Sequence, residues 1–353
     1  MNQTAEANLR AMTPKDVHEM IVRREKLFIL DVRNEEDYAD WRIEGDGITS
    51  INIPYFDMLD GVEAALQHLP NDQPILVACA KVGSSEFIAK QLIDAGVRDV
   101  FYLEGGMKAW SEYLHPVKAG DLPGGAIYQF VRPGKGCLSY MVLSDGEAAV
   151  IDAVRIIDPF LQFAEQHQVQ IKHVIDTHVH ADHISGGRML ASRTGAMYWL
   201  PPKDAGEVTF AYRPLIEGHN IQIGNPGVTI KPVYSPGHTI GSTSLIVNDQ
   251  YLLTGDLLFV ESIGRPDLAG KALEWVGDLR HTLYHTFRNF DANLIVLPAH
   301  YGHPREMDAE GRLAARLGDL FRLNEGLQVQ HADEFRRMVT ENLPPQPNSY
   351  KEI

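Results

Sequence analysis

The sequence predicts an α/β protein of two successive domains, a doubly wound N-terminal domain and a mixed α/β sandwich after it. Three observations carry this. Short apolar, β-branched runs alternate with amphipathic helical stretches over residues 13–112. The stretch "HPVKAGDLPGG" (115–125) then interrupts the rhythm with prolines and glycines. Beyond it come the strand-like runs "AIYQFV", "LSYMVL", "EAAVIDAV" and "IKHVIDT", with helical stretches between later strands. The expected boundaries are a domain over 10–115, a linker over 116–124 and a domain over 125–353.

The elements follow in order. Thr13-Pro14 is a helix N-cap with proline at the first helical position, and Val17, Met20 and Ile21 mark one apolar face. "KLFILDV" (26–32), "QPILVAC" (73–79) and "DVFYL" (99–103) read as buried parallel strands. "SSEFIAKQLIDAG" (84–96) is a helix with serine near its start and glycine at its end. In the second half, helical stretches separate later strands, as in "GKALEWVGDLRHTLYHTFRNF" (270–290).

Composition narrows the function. The 353 residues hold 32 Lys and Arg against 47 Asp and Glu, a net charge of −15, which disfavours a nucleic-acid substrate. No apolar run approaches the roughly 18 residues of a membrane span, and the N-terminus lacks the pattern of a secretory signal. Two cysteines, Cys79 and Cys137, make a disulfide framework improbable, so a reduced, cytoplasmic setting is expected. A homo-oligomer is left open.

"THVHADHISGG" (177–187) crowds His178, His180, Asp182 and His183 just after the strand "KHVIDT". Three later strands end the same way: "VTIKPVYSPGH" at His238, "QYLLTGD" at Asp256 and "NLIVLPAH" at His300. A lone histidine is more often structural than a ligand. Four strand-end imidazole and carboxylate signals in one chain favour a metal site, because a rigid sheet fixes the loops that leave it.

The ordered set H-x-H-x-D-H, S-P-G-H-T, T-G-D and P-A-H resembles the metallo-β-lactamase superfamily over about residues 125–353. The resemblance implies an αβ/βα sandwich with metal at the sheet edges. "ADHISGG", "SPGHT", "TGDLLF" and "GRPDL" are similar to its persulfide dioxygenase branch. That branch implies one Fe(II) per chain on His178, His238 and Asp256, a ligand set that leaves open positions for O2 chemistry. All seven residues (His178, His180, Asp182, His183, His238, Asp256, His300) could instead hold two metals, as in the glyoxalase II branch. On the first reading His180, Asp182, His183 and His300 stand behind the metal, and on the second they serve a second one. The resemblance also implies that Arg265 binds the thiol carrier, glutathione. It places a tyrosine just after the histidine matching His300, and Tyr301 is the nearest residue, at a different spacing. Cys137 reads as a buried structural thiol.

"LDVRNEEDY" (30–38), "CAKVGSS" (79–85) and "EGGMKAW" (104–110) together resemble a rhodanese domain over about residues 10–115. Cys79 ends a strand and opens a loop whose successive N–H groups make an anion nest, suited to a thiolate that accepts and passes on sulfur. Many rhodaneses place arginines in this loop. This one offers only Lys81, so either weaker anion recognition or a substrate other than thiosulfate is expected. Asp31 and Arg33 match the first rhodanese motif and support the fold.

The expected activity is oxidation of glutathione persulfide by O2 to sulfite and free thiol, coupled to sulfur transfer through Cys79 with thiosulfate, sulfite or a persulfide. A dinuclear thioester hydrolase of the glyoxalase II type is the enzymatic alternative, and a non-catalytic sulfur carrier or sensor the other.

Overall fold

The computed structural model describes residues 9–180, 185–225, 227–266 and 272–341. Asp182 and His183 lie outside the described residues. Among the described residues, one unit runs to His115 and takes in Arg132–Lys135 and His303–Gly311; the other holds the rest.

In the N-terminal unit, β1 (Arg10–Met12), β2 (Leu27–Asp31), β3 (Ile48–Asn52), β4 (Ile75–Ala78) and β5 (Val100–Leu103) form a sheet in the order β1-β5-β4-β2-β3. Every pairing is parallel. Helices α1 (Pro14–Val22), α2 (Glu35–Asp40), α3 (Glu63–Leu66), α4 (Gly83–Asp94) and α5 (Gly106–Glu112) follow the strands. Thr13 closes a capping box with Asp16 at the start of α1. Alternate residues of β2 serve two cores. Leu27 and Ile29 join Val17, Ile21, Met107 and Trp110 on one face, while Leu30 joins Val77, Ile88 and Leu92 on the other. That double burial explains the nearly unbroken apolar strands.

The second unit holds two sheets, as expected of an αβ/βα sandwich. The first contains β6 (His115–Leu122), β7 (Gly125–Arg132), β8 (Cys137–Ser144), β9 (Glu147–Ile151), β10 (Gln170–Ile175), β11 (Met197–Leu200) and β12 (Arg213–Pro214), in sequence order across the sheet. The second contains β13 (Ile221–Ile223), β14 (Val228–Tyr234), β15 (Thr243–Val247), β16 (Tyr251–Gly255), β17 (Ile295–Pro298) and β18 (Ala315–Arg316), also in sequence order. Between the strands run α6 (Asp158–Gln166), α7 (Gly187–Thr194) and α8 (Ala272–His281), and α9 (Leu317–Leu323) and α10 (Ala332–Thr340) follow β18. Leu279, Leu320, Phe335 and Val339 from the last three helices share a core with Leu252 and Val296 of the second sheet. Among the described residues, no helix is long and apolar enough to cross a membrane.

One expectation is corrected. The segment 116–124, expected as a linker, lies almost wholly in β6, the outermost strand of its sheet. An edge strand tolerates proline and glycine because one row of its backbone groups needs no ladder partner. The helical stretch expected over 270–290 holds α8, then a π-helical turn, Thr282–Thr286, and a 3₁₀ turn, Phe287–Asn289. There the buried Thr282 hydroxyl donates to the Pro236 carbonyl at 2.6 Å, so the wider turn meets the loop that carries His238.

Candidate metal centre and cysteine loop

His178 lies just past β10, His238 just past β14, and Asp256 directly after β16. The fold brings these three together: one ligand atom from each lies within 4.8 Å of the others. His178 Nε2 and His238 Nε2 stand 3.6 and 3.5 Å from the same oxygen, Asp256 Oδ2. Gly255 makes the close approach feasible. Its φ is +53°, and a Cβ there would lie 2.9 Å from Thr177 Oγ1.

Proton positions follow from the partners. The Thr177 hydroxyl donates to Asp152 Oδ2 at 2.9 Å, so at 3.0 Å it accepts from His178 Nδ1–H. His178 Nε2 is therefore a lone pair; it is buried and has no hydrogen-bond partner among the described residues. His238 Nδ1 lies 2.9 Å from the Arg265 carbonyl, which can only accept, so this ring too turns a bare Nε2 inward. Two lone pairs thus face one carboxylate oxygen with no proton to share. Such a donor set fits a cation.

The electrostatics agree. Burial, then the neighbouring His180, holds the His178 pKa well below the usual imidazole range. Burial acts to raise the pKa of Asp256, but the charge and hydrogen bond of His300 act against it and the pKa is held below the usual carboxylate range. Neutral imidazoles and an ionised carboxylate are the forms that ligate a metal.

The other expected residues fall around this triad. His300, just past β17, lies with Nδ1 2.7 Å from Asp256 Oδ1 and so turns Oδ2 towards the two histidines. His180 turns to Asp152, Nε2 to Oδ1 at 3.2 Å, although its ring centroid is only 4.1 Å from that of His178. Arg265 contributes its carbonyl. Tyr301 is half-buried, and its backbone N–H bonds the Gly136 carbonyl at 3.1 Å. Cys137 is buried where β8 begins, opposite His300 in an antiparallel bridge.

Sequence reasoning missed three residues. Asp152, at φ +53° just past β9, accepts from Thr177 N at 2.7 Å as well as from its hydroxyl. "AVIDA" carries the same strand-then-carboxylate signal as the others and could have revealed it. Thr177 fixes the His178 tautomer. Asp204 ties the two histidine loops together: it accepts from Val179 N at 3.2 Å, Thr239 Oγ1 at 2.6 Å and Gly241 N at 2.6 Å. It lies in a loop after β11, where no spacing pattern marks it.

In the N-terminal unit, Cys79 follows β4 and is 5% exposed. Its Sγ–H donates to Ser85 Oγ at 3.2 Å, and the serine hydroxyl donates to the Val82 carbonyl at 2.7 Å. The loop ends at α4, whose N-terminus favours negative charge on sulfur. Met107 N and Lys108 N bond the Cys79 and Ala80 carbonyls at 2.8 and 3.1 Å. Gly106 permits this: its φ is +63°, and a Cβ would lie 1.8 Å from the Lys81 carbonyl oxygen. "EGGMKAW" therefore shapes the loop. Lys81 is exposed, and the Asp31–Arg33 pair is buried at 2.7 Å, where it supports the fold.

Comparison with known proteins matches residues 13–113 to the rhodanese-like domain and residues 132–327 to the Metallo-beta-lactamase superfamily. The persulfide dioxygenase ETHE1 of Bos taurus is 29% identical over 218 residues, 60% of this chain and 79% of its own. A hydroxyacylglutathione hydrolase of Anaeromyxobacter dehalogenans is 33% identical over 141 residues, 39% of this chain and 52% of its own. The crystal structure of ETHE1 from Myxococcus xanthus superposes with TM-score 0.54 at 24% identity, covering 64% of this chain and 94% of that one. A metallo-beta-lactamase of Staphylococcus aureus gives 0.57 at 23%, covering 64% and 70%. At these identities the solved structures show a shared fold.

Proposed function

The chain belongs to the Metallo-beta-lactamase superfamily, whose match takes in more than half of it, and from that premise we propose that it is a persulfide dioxygenase using a single Fe(II). The observation that carries the reading is the convergence of His178 Nε2, His238 Nε2 and one oxygen of Asp256 with no proton between them. An iron ion held by these three would supply the redox chemistry that joins O2 to the outer sulfur of a persulfide. Overall, one glutathione persulfide, one O2 and one water give sulfite, glutathione and two protons.

The chain's own residues prepare that chemistry. Thr177 and the Arg265 carbonyl hold the two imidazoles in the ligating tautomer, and Asp204 holds their loops in register. His300 fixes the Asp256 carboxylate. The Arg265 guanidinium is assigned to the carboxylates of the thiol carrier, and Tyr301 to the same substrate. At the other site, the Cys79 thiolate takes the outer sulfur of a donor and passes it on, and the α4 N-terminus and Lys81 steady the resulting anion.

Metal analysis of protein from iron-replete cells tests the reading. About one iron per chain with little zinc supports it. Two firmly held metals per chain would favour the hydrolase, which has relatives in its favour and would use His180, Asp182 and His183.

A further inference from the structure

The loops that leave β2, β3, β4 and β5 open on one edge of the parallel sheet and flank Cys79, which itself follows β4. Their charge is one-sided. Glu35 and Glu36 follow β2, Asp57 and Asp60 follow β3, Glu86 follows β4 and Glu104 follows β5, and all six are exposed. Against them stand Lys81, Lys108, whose ammonium lies 3.8 Å from Glu112, and Lys135, which lies over the Trp41 ring, while Arg33 is spent on the buried Asp31. The loop after β1 adds Lys15 and Asp16, which cancel. A dianion such as thiosulfate is repelled by this edge within a Debye length of about 10 Å.

Beside the thiol lies an aromatic platform. Phe87 stands on the first turns of α4, two residues after the Ser85 that receives the Cys79 hydrogen bond. Its ring is 5.8 Å from that of Tyr55, which is 5.4 Å from Phe56. Phe56 is 78% exposed, Leu59 45% and Phe87 42%. Single exposed apolar residues are ordinary, but a linked group of them beside a nucleophile marks a surface made to be covered.

We propose that this face docks a partner protein presenting a cysteine on a basic, apolar segment, and that sulfane sulfur passes between that cysteine and Cys79. The inference rests on the sulfur-transfer reading of Cys79. The partner's apolar side chains cover Phe56, Leu59 and Phe87, and its lysines or arginines meet the carboxylates. The Cys79 thiolate attacks the outer sulfur of the partner's persulfide. The partner's S–S bond breaks as a new one forms on Cys79, and the partner leaves as its thiolate. No oxidant or reductant is needed.

The test uses the full chain and two synthetic peptides of equal length, each carrying one cysteine persulfide. In one the cysteine is flanked by lysine and leucine, in the other by glutamate and glycine. Loading of Cys79 is read as the mass of one added sulfur, with thiosulfate and glutathione persulfide as comparison donors. The basic peptide should load Cys79 at least about tenfold faster than the acidic one, with the advantage shrinking as salt rises. Phe56→Ser, at a position too exposed to threaten folding, and Asp57→Lys should each reduce that advantage while leaving loading by thiosulfate no slower. Equal rates for both peptides, or an advantage untouched by either substitution, would overturn the docking surface alone. Failure of every donor to load Cys79 would overturn the sulfur-transfer reading, and the inference with it.

Discussion

His178 Nε2 faces Asp256 Oδ2 across 3.6 Å, with its other nitrogen already committed to Thr177. Left alone, that arrangement buries a carboxylate against imidazole lone pairs; a metal ion resolves it. Asp256→Asn removes the negative charge and little else. Its affinity for Fe(II), or for Co(II) as a probe, should fall by roughly a hundredfold or more, since outer-shell losses alone cost ten- to a hundredfold. Competition with a chromogenic chelator measures this, and unchanged affinity would place the metal elsewhere.

Among the described residues Asp204 bonds no proposed ligand side chain, yet it accepts from the backbone on both histidine loops. Asp204→Ala should weaken Co(II) binding by about tenfold or more and alter the visible spectrum of the Co(II) protein. Asp204→Asn, which keeps one accepting oxygen, should recover part of both. If both variants kept the wild-type spectrum and affinity, Asp204 would be only a loop contact.

The ends of β10, β14, β16 and β17 were legible because a strand's apolar run stops sharply at an imidazole or carboxylate. His178, His238, Asp256 and His300 were found that way, and the structure brings all four together. What could not be read was anything set by long-range pairing. Thr177 matters only through Asp152, 25 residues earlier, and Asp204 matters only because folding sets its loop against those of Val179 and Thr239. The strand β6 was hidden because proline and glycine signal a turn locally, whereas its edge position makes them harmless.

The N-terminal unit should be acid-labile through one residue. His18 on α1 is fully buried, its ring 4.7 Å from that of His115, and neither of its nitrogens has a hydrogen-bond partner among the described residues. Burial, then the nearby His115, pushes its pKa down to about 3. An unfolded histidine titrates near about 6.5, so between these values the unfolded chain binds the extra proton. Stability is fully present above about pH 6.5 and is lost as pH falls towards 3, by at most about 1.4 kcal/mol per pH unit. Urea midpoints at several pH values for wild type and His18→Leu check this. The variant should show the shallower decline, and parallel curves would contradict it.

The two sites should separate chemically. Cys79→Ser keeps a small polar group beside Ser85 but cannot carry a persulfide. Transfer of sulfur from any donor should vanish. Metal content, and oxygen uptake with ready-made glutathione persulfide, should stay near wild type. A large loss of oxygen uptake in this variant, with folding intact by circular dichroism, would mean that Cys79 feeds the metal centre directly.

The central claim is met most directly by offering the Fe(II)-loaded protein two glutathione derivatives in an oxygen-electrode cell: glutathione persulfide and S-lactoylglutathione. The account predicts oxygen consumed mole for mole with the persulfide, with sulfite and glutathione appearing together, while the thioester stays intact. Rapid release of glutathione from the thioester, with no oxygen consumed on adding the persulfide, would contradict it.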